Sequence, residues 1–318
     1  AKPYIETFTP QVYSNKIYND TGKYYYAITE KLFQKNLLLI EEDDFKLVAD
    51  PLFNFSYGRT STNDSLYKIS GNTRGVRVAG DITKKFSFET RVYENQFFYP
   101  SYLDSIANIK TTAIGIGRSK PFKNTGHDAA MSSGYISYSP NKNINLQFGQ
   151  GKHFIGNGYR SLLLSDNASP APYLGITTQF FKNKLQYRSI NSWIQSLTRL
   201  PATNSAEALF KRKGASFRYL SFSPIKKLQL GIFEGVIYEN YVDSIGKKPL
   251  TPHFYLPIIG VNTAVNGLTN KNNSLLGLNI NYQLKNSLML YGQLMIDGAQ
   301  KNGFQLGGKW FNCFNSLN

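Results

Sequence analysis

The stretch "FSFETRVYEN" alternates without a slip, with Phe86, Phe88, Thr90 and Val92 on one side of an extended chain and Ser87, Glu89, Arg91 and Tyr93 on the other. The same period of two returns in "INLQF", "LQLGIF", "LLGLNINYQL" and "LMLYGQLMID", so strands are predicted from Lys46 onward. Twelve are expected, near 46–59, 69–82, 85–97, 130–139, 144–152, 173–181, 184–196, 214–223, 227–238, 274–283, 287–297 and 303–312. About ten residues rising ~3.3 Å each and tilted ~40° span roughly 25 Å, the height of the apolar band of an outer-membrane barrel.

The connections sort by length. Tight basic turns, "TKK" (83–85), "PNKN" (140–143), "KNK" (182–184), "PIKK" (224–227) and "LKN" (284–286), alternate with longer segments at 60–68, 98–130, 153–172, 197–213, 239–273 and 298–302. A soluble sandwich has no reason to segregate its loops in this way, whereas a membrane barrel has short periplasmic turns and long outer loops. No run approaches eighteen consecutive apolar residues, which excludes a transmembrane helix but not a barrel, whose strands are apolar only at every second position. Phe97, Phe98, Tyr99, Phe180, Phe181, Trp193, Tyr238, Trp310 and Phe311 fall near strand ends, as interfacial girdles do. The reading is an all-β chain forming an antiparallel transmembrane β-barrel, located in a bacterial outer membrane.

Two units are expected. Residues 1–45 form an N-terminal periplasmic helical segment, in which Tyr25, Ile28 and Leu32 mark a helix over 22–36 that docks on the barrel opening. Residues 46–318 form the barrel. The alternation puts Phe86, Phe88, Leu276, Leu278 and Ile280 towards lipid, so a charge at Leu278 is expected to cost ~2–4 kcal/mol and Asn279→Lys in the lumen less.

Candidate chemistry is sparse. The single cysteine, Cys313, rules out an internal disulfide framework and the multi-cysteine zinc motifs, and no cofactor is implied. The glycines of "GQGKHFIGNG" match neither a phosphate-binding loop nor a dinucleotide fingerprint. His127, His153 and His253 lie in or beside loops, and Ser161 follows His153 by eight residues. Without a nucleophile elbow or a third member, a packing role is the better reading and no enzyme is expected. A net charge of +16 points to an anionic partner such as lipopolysaccharide phosphate or acidic polysaccharide. Nucleic acid is not expected, because no recognition helix or single-strand stacking motif is present.

The segment "HFIGNGYRSLLLSDNASPAP" (His153 to Pro172) interrupts two good strands and has two readings. As a plug, it folds into the lumen with Leu162, Leu163 and Leu164 against the wall, Pro170 and Pro172 fixing the return, and Arg160 paired with Asp166 or Glu89. As a contact surface, Tyr159, Arg160, Ser161, Asp166 and Asn167 bind sugar or a partner protein. The plug is preferred, and on it Arg160→Ala would cost roughly 3–5 kcal/mol.

"GKHFIGNGYRSLLLSDNASPAPYLGITTQF" resembles the signature segment of the Wzi capsule-assembly family and its RemB-like gliding-motility relatives of Bacteroidota. "EEDDFKLVADPLFNFSYG" is similar to that family's entry into its first strand, and "GASFRYLSFSPIKKLQLGIFEG" adds weaker likeness. The resemblance implies a non-enzymatic outer-membrane barrel acting in surface polysaccharide attachment, or as a subunit of a gliding-motility or secretion assembly. The implied partners are outer-membrane lipid, lipopolysaccharide, surface polysaccharide and other outer-membrane proteins. The alternatives are a general diffusion channel and, behind it, an outer-membrane hydrolase. One departure is plain: barrels of this family have more than twelve strands and usually end on a strand with a terminal aromatic, whereas this chain stops at "FNCFNSLN". The twelve strands are therefore expected to be part of a larger barrel whose closing strands are missing.

Overall fold

A computed structural model describes residues 36–62, 65–199, 210–239, 241–242, 246–247, 252–268, 272–285, 287–298 and 302–310. Residues 22–35 of the expected helix, Phe311 and Cys313 lie outside the described residues.

All twelve expected strands are present, with ends differing by up to four residues. They are β2 (Phe45–Thr62), β3 (Ser65–Ile82), β4 (Phe86–Phe98), β5 (Gly126–Asn141), β6 (Ile144–Gly151), β7 (Ala171–Phe180), β8 (Leu185–Arg199), β9 (Phe210–Ile225), β10 (Leu228–Glu239), β11 (Asn273–Lys285), β12 (Leu288–Asp297) and β13 (Gly303–Trp310). A further strand, β1 (Leu38–Glu42), precedes them, so the sheet starts ahead of the Lys46 boundary read from the sequence. Asp43 and Asp44 form the β1–β2 turn.

Each wall strand pairs antiparallel with the next in chain order, from β1 to β13, with the short strand Lys120–Phe122 added beside β5. Among the described residues β1 and β13 are the two edges of this sheet and do not pair with each other. The tight turns at 83–85, 142–143, 181–184 and 226–227 all close one end, and the long connections lie at the other.

Burial along the strands is inverted relative to a soluble protein. Phe53, Phe55, Val92, Ile136, Phe148, Ile280 and Phe304 are exposed, while Ser137, Asn145, Gln147, Arg188 and Gln293 on the opposite face are buried. The switch is sharp at one step of β11, where Leu278 is 53% exposed and Asn279 only 3%. Apolar outside and polar inside at period two is the wall of a membrane-spanning barrel, in which lipid covers the apolar face. The lumenal face carries its own charge pairing: Arg77 donates to Glu89 at 2.9 Å and faces Asp50 at 3.9 Å, and Arg91 also reaches Glu89.

On this face assignment Leu278→Arg is expected to lower stability by ~2–4 kcal/mol in bilayers. Urea unfolding in lipid vesicles measures it, and an unchanged midpoint would place Leu278 away from lipid.

Candidate functional site

The connection between β6 and β7 enters the lumen as a small hairpin. Ile155 and Leu164 form an antiparallel bridge at its base, with the Ile155 amide donating to the Leu164 carbonyl at 2.9 Å. Gly156 makes the bend at φ 115°, a left-handed conformation that glycine tolerates, and a Cβ there would collide with Gln293 and Ser161. Ile155 and Leu163 then bury against Tyr173, Ile190, Ala215, Phe217, Tyr219 and Phe233, which point inward from β7 to β10. Leu162 and Leu164 are half-buried.

Polar bonds tie the hairpin to the opposite strands. Asn279 on β11 donates to Asn157 at 2.6 Å and to the Tyr219 hydroxyl at 3.2 Å, and accepts from the Asn157 amide at 3.3 Å. Gln293 on β12 donates to Ser161 Oγ at 3.1 Å and to Asn279 Oδ1 at 3.1 Å, and accepts from the Leu162 amide at 3.0 Å. The Ser161 hydroxyl donates to the Ile155 carbonyl. Every one of these groups is buried or partly buried, so each bond replaces one that water would otherwise make.

Ser161 therefore belongs to the anchor. The other four expected site residues do not: Tyr159 is 84% exposed, and Arg160, Asp166 and Asn167 are exposed. Among the described residues Arg160 forms no ion pair, and the Asp166 charge acts on Lys152 instead. Glu89, the second partner considered for Arg160, is taken by Arg77 and Arg91. The expected Arg160–Asp166 pair is thus replaced by an amide–hydroxyl network, and Arg160 is left at the hairpin tip.

His153 packs edge-on against Tyr173, ring centroids 4.2 Å apart, and is not bonded to Ser161. Burial, with the nearby Arg188 guanidinium as a second cause, pushes its pKa down to about 3. Because the folded value lies below the unfolded one of about 6.5, its contribution to stability is complete above pH ~6.5 and is lost as pH falls towards 3. Wild type should therefore lose more thermal stability between pH 7 and 4 than His153→Gln does. Parallel melting curves for the two proteins would remove His153 from this role.

At the loop end a helix, α1 (Ser101–Lys110), is clasped to β5: Asp104 bonds His127 Nε2 at 2.7 Å and Ser119 bonds His127 Nδ1 at 3.3 Å. Asn108 donates to the other Asp104 oxygen at 3.0 Å. These are the residue types of a nucleophile–base–acid relay, with Ser119 and His127 buried and Asp104 partly exposed. It fixes the helix on the sheet.

A second loop covers the outer face. In β9 and β10, Arg218 and Glu234 sit at lipid-facing positions and pair at 3.2 Å with both side chains fully buried. They are enclosed by a strap, Pro252–Gly267, which contains the short helix α2 (Val261–Asn266). Arg218 donates to the Phe254 carbonyl at 2.8 Å and the Leu256 carbonyl at 2.9 Å. Glu234 accepts from the Gly260 amide at 2.8 Å and from the Thr263 amide and hydroxyl at 3.0 and 2.8 Å. Tyr238, expected in an aromatic girdle, is buried instead and stacks on Phe254 at 4.2 Å. Neither Arg218 nor Glu234 was singled out from the sequence. The available signal was two charges at positions where the alternation demands apolar residues.

A one-sheet wall with an apolar outer face, a polar lumen and loops segregated by length defines an outer-membrane β-barrel protein. No family model matches the chain, and no curated protein matches it. Solved structures similar to it include the NanC porin, with 8% identity, TM-score 0.35, and 76% of this chain and 93% of that one covered. A Pseudomonas aeruginosa FadL homologue gives 12% identity, TM-score 0.33, and coverage of 85% and 73%. The P. putida toluene transporter TodX gives 10% identity, TM-score 0.34, and coverage of 86% and 81%.

Proposed function

We propose that the protein is a non-enzymatic outer-membrane barrel with an occluded lumen, which holds surface polysaccharide or joins a surface assembly, as its resemblance to the Wzi and RemB-like families implies. The observation that carries this reading is the hairpin between β6 and β7, whose base and flanks are fully engaged while Tyr159 and Arg160 at its tip are exposed. The hairpin packs and bonds along the inner face of β7 to β12, where it narrows any passage and favours an occluded lumen over an open channel. An exposed aromatic beside a guanidinium offers a sugar ring a flat apolar face and an acidic sugar a charge-assisted partner. The net charge of +16 favours the same class of ligand.

Two measurements test it. In planar bilayers the wild-type protein should hold a closed baseline; a steady open conductance would instead make it a porin-like channel. On an immobilised acidic polysaccharide, Arg160→Ala should weaken retention while melting stays within ~0.5 kcal/mol of wild type, as for an exposed side chain. Undiminished retention by Arg160→Ala would remove the tip from binding.

A further inference from the structure

The strap Pro252–Gly267 has two unlike sides. Its inner side holds Phe254 and Asn262, both buried, with the backbone groups that satisfy Arg218 and Glu234. Its outer side presents Leu256, Ile258 and Val265, which are 43%, 55% and 62% exposed. A loop standing in water has no need of three exposed aliphatic residues on the side away from its anchor.

Strand register says what that side meets. Glu234 on β10 pairs with Leu276 on β11, and Leu276 pairs with Ile296 on β12. Ile296 is an exposed member of the apolar outer face, as are Ile232 and Leu278 one pair below. The strap thus begins where the lipid-facing band of β10 stops, at the level where the band of β12 continues. Without the strap, an ion pair would lie on a surface otherwise covered by acyl chains, where charges are costly.

We propose that the strap is a membrane element, with Leu256, Ile258 and Val265 seated among acyl chains and continuous with the wall's apolar band. It carries the lipid boundary outward by one layer over β9 and β10, so the Arg218–Glu234 pair is enclosed by protein on every side. This inference rests on the membrane-barrel assignment, and the test separates the two.

In a Cys313→Ser background, single cysteines replace Ile258, Val265, Leu278 or Lys142, each labelled with a nitrobenzoxadiazole dye and reconstituted in phosphatidylcholine vesicles. Quenching is read with doxyl-labelled acyl chains and, separately, with aqueous iodide. Labels at 258 and 265 should behave like the wall position 278, quenched by doxyl lipid and shielded from iodide, while the turn position 142 shows the reverse. Iodide quenching at 258 and 265 alongside lipid quenching at 278 overturns the proposal and leaves the strap in water or awaiting a protein partner. Loss of lipid quenching at 278 itself overturns the membrane assignment beneath it.

Discussion

Arg218→Met is expected to cost about 3–5 kcal/mol, the range for breaking a buried pair by removing one partner. The arginine donates to Glu234, Phe254 and Leu256; Glu234 and Phe254 are buried, and the bond to Leu256 is partly buried. Methionine fills much of the volume but leaves two carbonyls and a carboxylate short of donors. Glu234 keeps its bonds from Gly260 and Thr263, so the strap's helical end should stay attached longer than its Phe254 end. Pairing the change with Glu234→Met should recover part of the loss, because an apolar pair leaves no buried charge. Urea unfolding of the single and double variants measures both effects. A loss below ~1 kcal/mol for Arg218→Met would mean that the pair is as weak as an exposed one.

Asn279→Lys should be costlier than a lumenal position suggests. From alternation alone it ranks below a charge at Leu278, since lumen residues of an open barrel meet water. Here Asn279 lies beneath the hairpin, bonded to Asn157, Tyr219 and Gln293. Replacing it strands several buried polar groups, each costing about 1–3 kcal/mol when unpaired, and adds an ammonium with no carboxylate bonded at this point. A loss of roughly 3 kcal/mol or more is expected, together with release of the hairpin. The second effect is visible separately as conductance steps in planar bilayers, absent in wild type. Unchanged stability with a closed baseline would show that the amide network does not hold the plug.

Period two made the wall legible because lipid on one side and the lumen on the other impose opposite chemistry on adjacent residues. Strand β1 escaped because Leu37, Leu38, Leu39 and Ile40 do not alternate. At a sheet edge both faces of this strand stay exposed, so no pattern is enforced. The plug was legible in its leucines and glycines, and not in its polar anchors. Opposite charges such as Arg160 and Asp166 suggest a pair from sequence, but only the fold aims them, and here the bend at Gly156 turns Asn157 and Ser161 inward and leaves Arg160 outside. The strap was invisible as a motif, since the 239–273 segment has no period, yet its footprint lay in "FRYLSF" and "IFEGVIY" as charges breaking the alternation.

The two loops load the wall unequally. Strands β9 and β10 carry the hairpin on one face and the strap on the other, whereas among the described residues no second layer covers the outer side of β2 to β4, where Phe53, Phe55, Val76 and Val92 are exposed. Local opening is governed by how many packed contacts must break. The amide protons of β9 and β10 should then be the last to exchange with solvent, and those of β2 and β3 among the first. Mechanical strain from the membrane or from anything pulling on the hairpin tip would bend the thin arc while the thick one moves as a rigid plate.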